Sequence, residues 1–161
     1  THMNVDPTAE QVAEMTVLGA EAVRRFGLTP KAALLSHSSF GASNSPSARK
    51  MRAALGLIRA RAPELEIDGE MHGDAALVES IRDRAVPDSR LAGVANLLVM
   101  PGLDAANIAF SLLKAAADAQ PVGPIMLGMS RPIHVVVPSV TARGSGKGSA
   151  SAAGEAQAAR G

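Results

Sequence analysis

Asn96-Leu97-Leu98-Val99-Met100-Pro101-Gly102 decides the fold class. Four consecutive apolar residues with no polar alternation predict a strand buried on both faces, as in a parallel sheet covered by helices. Pro101-Gly102 is turn chemistry, and the apolar positions beyond it predict a helix over about 105–117. Working outward, Ala32-Ala33-Leu34-Leu35 is a second short apolar run bounded by turn residues, and Leu65-Glu66-Ile67-Asp68 reads as a third strand leading into a loop over 69–73. Pro124 to Leu127 and Ile133 to Val137 are two further strand candidates. Strands alternating with helices imply an α/β three-layer sandwich: a mostly parallel sheet, right-handed crossovers and helices on both faces. Leu34-Leu35 and Leu97–Val99 are the expected central strands.

The helices carry their own punctuation. Asp6-Pro7-Thr8 combines a polar cap, an early Pro and the acidic Glu10, and apolar residues follow at Val12, Met15, Leu18, Ala22 and Phe26. Gly27 and Pro30 end that helix. Ser45-Pro46 repeats the signature and starts a helix to about Arg61, stopped by Pro63. Asp74-Ala75-Ala76-Leu77 opens another, ending before Pro87. Thr1-His2-Met3 reads as an expression scar, residues 4–143 as the α/β domain, and 144–161, almost entirely Gly, Ala and Ser, as a flexible tail.

The chain has 161 residues and a formal net charge of +1, so length predicts one domain and charge argues against a dedicated nucleic-acid binder. The hydrophobic fraction is 47% but aromatics are only 2%, so the core must be built from Ala, Val, Leu, Ile and Met. There is no Cys, which excludes disulfides, thiol nucleophiles and thiolate metal sites. No apolar run reaches about 18 residues and no signal peptide opens the chain, so no membrane is expected and a cytoplasmic location is.

Ligands of open α/β sheets sit beyond the carboxyl ends of the strands. Ser36-His37-Ser38-Ser39-Phe40-Gly41 lies there, and its hydroxyls and N–H groups suit a phosphate near the helix that starts at Pro46. No Gly-Lys-Ser follows, so it is not a Walker loop; an ordinary solvated loop is the alternative. Lys50 and Arg52 on the next helix reach toward a nucleotide phosphate or are simply solvated. His37, His72 and His134 lack metal-ligand spacing, so no metal site is expected. Asp68, Glu70 and Asp74 surround a strand–helix junction, where carboxylates favour the helix N-terminus; a structural role is the expectation. The methionines fill a core short of aromatics, and Met100, at a strand's carboxyl end, is the one expected beside a ligand.

Several of these segments, in this order, resemble the phosphotransacetylases, which exchange acetyl groups between coenzyme A and phosphate. Ser36 to Gly41 is similar to that family's Ser-x-Ser-x-x-Gly loop. Asp68-Gly69-Glu70 and Asp74 to Leu77 are similar to its Asp-Gly-Glu and Asp-Ala-Ala-Leu elements. Pro101 to Phe110 is similar to its Pro-x-Leu-x-x-x-Asn helix start. Glu66 to Met71, Asp104 to Ala109 and Pro138 to Gly144 most resemble the phosphotransacetylase-like domain at the C-terminus of bacterial NADP-dependent malic enzymes, of which only the second half is represented. The resemblance implies an acyl-CoA wall formed by Ser36, Ser38, Ser39, Gly41, Lys50, Met100, Asp104 and Asn107.

The resemblance also implies a departure. Active phosphotransacetylases place Ser and Arg after a Lys-Pro-Val-Asn strand, with an acidic pair downstream. Aligned on Arg131-Pro132-Ile133-His134, these positions hold Val137, Pro138, Arg143 and Gly144, and a basic helix position holds Ala115, beside Lys114. Valine forms no hydrogen bond to a thiol and proline stabilises no oxyanion. The resemblance therefore implies a non-catalytic regulatory and self-associating module of a malic enzyme, taking acetyl-CoA as effector, with NADP and a divalent metal confined to the absent catalytic region. An active phosphate acetyltransferase and a purely structural dimerisation domain are the alternatives.

Overall fold

The computed structural model describes residues 3–128. They fall into two compact units, Met3–Ala106 and one beginning at Asn107. The first unit holds a three-stranded parallel sheet in the order β2-β1-β3, with β1 Lys31–Leu35, β2 Glu66–Met71 and β3 Leu97–Val99. Around it lie α1 Ala9–Arg25, α2 Pro46–Arg61, α3 Gly73–Leu77 and α4 Glu79–Ala85, and α5 runs Leu103–Ala116.

Helices cover both faces, as the unbroken apolar runs require. Ala32, Leu34 and Ile67 join Val12, Ala13 and Ala20 of α1 and Met51, Ala54 and Ile58 of α2 in one apolar cluster. Ala33, Leu35 and Met71 turn the other way, onto Ala75, Ala76, Leu91 and Ala95. Each large side chain fully removed from water contributes about 1.5–3 kcal/mol. The alanines add little area, but they let helices approach the sheet closely. Gly19 shows the effect: a Cβ there would stand 3.3 Å from Leu97 Cδ1.

Several local expectations are corrected. Thr8, not Asp6, caps α1, in a capping box with Gln11, so Pro7 precedes the cap. The buried face of α1 is Val12, Ala13, Thr16, Gly19 and Ala20, while Phe26 is exposed; small residues were favoured because this face meets both α2 and the sheet. The helix expected from Asp74 breaks at Val78 into α3 and α4. Among the described residues β1 lies between β2 and the half-buried β3, and the strand candidate Ile133 to Val137, which would bear on whether β3 is also central, is outside them. The register of β3 is set by Asn96, whose N–H donates to the Lys31 carbonyl while its Oδ1 accepts from the Lys31 N–H. Pro124 to Leu127 contributes a lone bridge residue, Ile125, and the 144–161 tail also lies outside the described residues.

The strand expected to end at Asp68 continues through Met71. Leu34 pairs with Gly69 and Leu35 with Met71, so Glu70 is the extra residue of a β-bulge. Gly69 makes this possible: its φ is 146°, and a Cβ there would lie 2.7 Å from the Leu34 carbonyl oxygen.

Candidate functional site: the loops at the carboxyl end of the sheet

Because all three strands are parallel, the segments following β1, β2 and β3 open on one edge. The largest is the loop over 36–45 between β1 and α2. It is pinned at its start and near its middle by the backbone: Ser36 N–H donates to the Met71 carbonyl at 2.9 Å and Phe40 N–H to the Glu70 carbonyl at 2.7 Å. Phe40 and Gly41 both take positive φ, 46° and 90°, which turns successive groups inward. The Phe40 ring packs on the Ala33–Leu35–Met71 cluster and holds the less favoured conformation in place.

The centre of the loop is a carboxylate. The bulge turns the Glu70 side chain into the loop, where it is fully buried. Its Oε1 accepts from Ser38 Oγ at 2.7 Å, Gly41 N–H at 3.0 Å and Arg52 Nη1 at 2.7 Å. Its Oε2 is buried without a hydrogen-bond partner. Burial acts to raise the Glu70 pKa; the donors, led by Ser38 and the Gly41 N–H and including Arg52, outweigh it and hold the carboxyl below its ordinary range.

Ser38 Oγ also accepts from Ser43 N–H, and Arg52 donates to the Ser43 carbonyl and to Asn44 Oδ1. Ser45 Oγ accepts from Ala48 N–H and caps α2. His37 Nε2 lies 3.3 Å from Ser45 Oγ, and His72 Nε2 lies 2.8 Å from the His37 carbonyl oxygen, so two histidines distant in sequence meet on this loop. Among the described residues no group of three His, Cys, Asp or Glu side chains is arranged to hold a metal ion.

The sequence candidates separate accordingly. Ser36, Ser38, Ser39 and Gly41 share the loop, and Ser36 Oγ accepts from Ser38 N–H at 3.1 Å. The Lys50 ammonium pairs with Asp6 Oδ1 at 2.6 Å. Met100 packs on the second apolar cluster. Asp104 is exposed in the first turn of α5, and Asn107, also exposed, belongs to the other unit. Asp68, Glu70 and Asp74 do not form one cluster. Asp68 pairs with Arg59 at 2.9 Å and accepts from Ser89 Oγ and Arg90 N–H, while Asp74 accepts from Ala75 N–H. Arg52 and Glu70 organise the loop, and their importance was understated by the sequence reading. The isolated Gly69 inside a strand was the available signal, since it marks a bulge that re-aims the next side chain.

Residues 1–150 match the family described as phosphate acetyl/butaryl transferase. The chain belongs to that family. It is 58% identical over 144 residues to an NADP-dependent malic enzyme of Salmonella typhimurium and 56% identical over 144 residues to an NAD-dependent malic enzyme of Rhizobium meliloti, each match covering 89% of this chain and 19% of the relative. A phosphotransacetylase from Streptococcus pyogenes superposes with a TM-score of 0.92 at 33% identity, over 97% of this chain and 47% of that one. The chain thus spans about a fifth of the malic enzymes and about half of the solved phosphotransacetylase. It is a phosphotransacetylase-like domain homologous to the C-terminal region of bacterial malic enzymes.

Proposed function

We propose that this domain is a non-catalytic regulatory and self-associating module of a malic enzyme, with acetyl-CoA or a related acyl-CoA as its effector. The observation that carries the reading is the gradient of similarity: 50–58% identity to malic enzymes against 33–42% to phosphate acetyltransferases. The parent reaction would be oxidative decarboxylation of malate to pyruvate, using NADP or NAD and a divalent metal held elsewhere in the parent. Val137 and Pro138 stand where the family resemblance places the polar pair that handles the thiol and acyl group.

The proposed ligand wall comprises Ser36, Ser38, Ser39 and Gly41 of the pinned loop, with Lys50, Met100 and Asp104 of the same compact unit. A ligand regulates only if it prefers one arrangement of the assembly, and a typical coupling of about 1–3 kcal/mol changes affinity about 5–150-fold. Self-association is supported by α5, where Ile108 is 59% and Leu112 65% exposed. Among the described residues no helix is long and apolar enough to cross a membrane.

Active phosphate acetyltransfer is the second reading, favoured by the TM-score of 0.92. A structural dimerisation domain is the third, favoured by the exposed apolar positions of α5. Calorimetric titration of this chain with acetyl-CoA tests the first: binding supports it, and no heat with a dimeric chain leaves the third. A single-turnover assay with acetyl-CoA and phosphate tests the second.

A further inference from the structure

The donors that converge on Glu70 are those expected of a phosphate-binding loop. A serine hydroxyl, a loop N–H and a guanidinium all point at one oxygen, Glu70 Oε1, at 2.7, 3.0 and 2.7 Å. Such a set is an anion cradle, because charge-assisted bonds from Arg and backbone N–H groups favour a negative oxygen. Here the chain supplies the anion itself, from a bulge in the neighbouring strand, and buries it completely.

Resting on the ligand reading above, we infer that Glu70 is the resident anion of the 36–41 loop. Ser38, the Gly41 N–H and Arg52 are then committed to it. They act as positioning groups that hold the loop's shape, so within the proposed wall Ser38 and the Gly41 N–H shape the loop, and a ligand's phosphate must be recognised by its other members.

Charge supports the assignment. Arg52 brings one positive charge, Glu70 cancels it, and Ser38 and the Gly41 N–H are neutral. A phosphate entering this loop would meet a buried carboxylate within hydrogen-bond reach of every donor it needs, and like charges at that separation disfavour both staying ionised. With Glu70 shortened to a methyl group the same three donors face a gap, and the guanidinium, left without a carboxylate to balance its charge, makes that gap a receptor for a small anion.

The test is replacement of the built-in carboxylate by a free one. Glu70→Ala should lower the thermal midpoint by roughly 5–15 °C, the consequence of removing the buried carboxylate from a pair whose Arg52 side is 30% exposed. Sodium formate, titrated against sodium chloride at constant ionic strength, should recover most of that loss, and inorganic phosphate should also stabilise this variant. The unmodified chain and Glu70→Gln, whose cradles are filled, should respond to neither, and Glu70→Ala/Ser38→Ala should respond to formate less than Glu70→Ala does. Should Glu70→Ala be unfolded without added anion, formate should restore its folded circular-dichroism spectrum.

The proposal is overturned if Glu70→Ala is indifferent to formate, whether folded or not. It is also overturned if the unmodified chain is stabilised by phosphate and Ser38→Ala abolishes that effect. Neither probe is an acyl-CoA, so this outcome is independent of acetyl-CoA calorimetry: rescue without acyl-CoA binding sinks only the functional reading, and binding without rescue sinks only this one.

Discussion

Asp6, in the segment that leads into α1, places its carboxylate 2.6 Å from the ammonium of Lys50 on α2. The Lys50 side chain is 17% exposed and that of Asp6 is 86% exposed, so the pair is shielded on one side only. The next residue back, Val5, accepts from Leu103 N–H at 3.0 Å at the start of α5. The lead-in segment therefore touches both α2 and α5.

A pair so open on the Asp6 side adds little to stability. Lys50→Ala should change the unfolding free energy by less than about 1 kcal/mol, measured by urea denaturation. If Lys50 meets a ligand phosphate, the same change should weaken acetyl-CoA binding on the order of tenfold, the worth of one charge-assisted hydrogen bond. Unchanged calorimetric affinity would remove Lys50 from the site.

Stability should fall in acid partly through Glu70. Its folded-state pKa lies below the ordinary value of 4.5, so its contribution is complete above that value and is lost as pH drops through the lowered one. Glu70→Gln should be less stable than the unmodified chain at pH 7, with the gap narrowing as pH falls below the ordinary carboxyl range. Parallel stability–pH curves for the two proteins would show that Glu70 carries no such linkage.

Gly69→Ala should cost about 2–4 kcal/mol or prevent folding, because φ of 146° disfavours a side chain and the Leu34 backbone blocks the space. Gly56→Ala serves as the control, since nothing lies within 4 Å of a Cβ there. Equal midpoints for the two variants would contradict the bulge geometry.

The chain should form no acetyl phosphate from acetyl-CoA and phosphate. Val137→Ser/Pro138→Arg should not restore activity, because Arg143 and Gly144 still stand where the family resemblance places the acidic pair. Turnover by the unmodified chain that survives rigorous purification would favour the transferase reading.

Association should run through α5. Ile108 and Leu112 lie four residues apart on one side of the helix and are largely exposed. Leu112→Asp should shift light-scattering mass toward the monomer while leaving circular dichroism unchanged. A monomeric unmodified chain at high micromolar concentration would end the proposal.

Local patterning was enough for the fold class. Runs such as Ala32–Leu35 could be satisfied only by burial on both faces, and the alternation with capped helices implied a parallel sheet. Ser45-Pro46 likewise specified the start of α2, because a cap depends on residues three apart. The candidate site was legible only as a loop. Whether Lys50 or Arg52 met the loop's carboxylate depended on helix rotation, and the structure pairs Lys50 with Asp6 and Arg52 with Glu70. Likewise, Asp68 and Glu70 look equivalent in a row of acidic residues, yet a one-residue bulge sends one to Arg59 and the other into the loop. Side-chain direction in a strand reverses with every residue, so a single unpaired residue reassigns a carboxylate's partners. That registration exists only once β1 and β2 are paired.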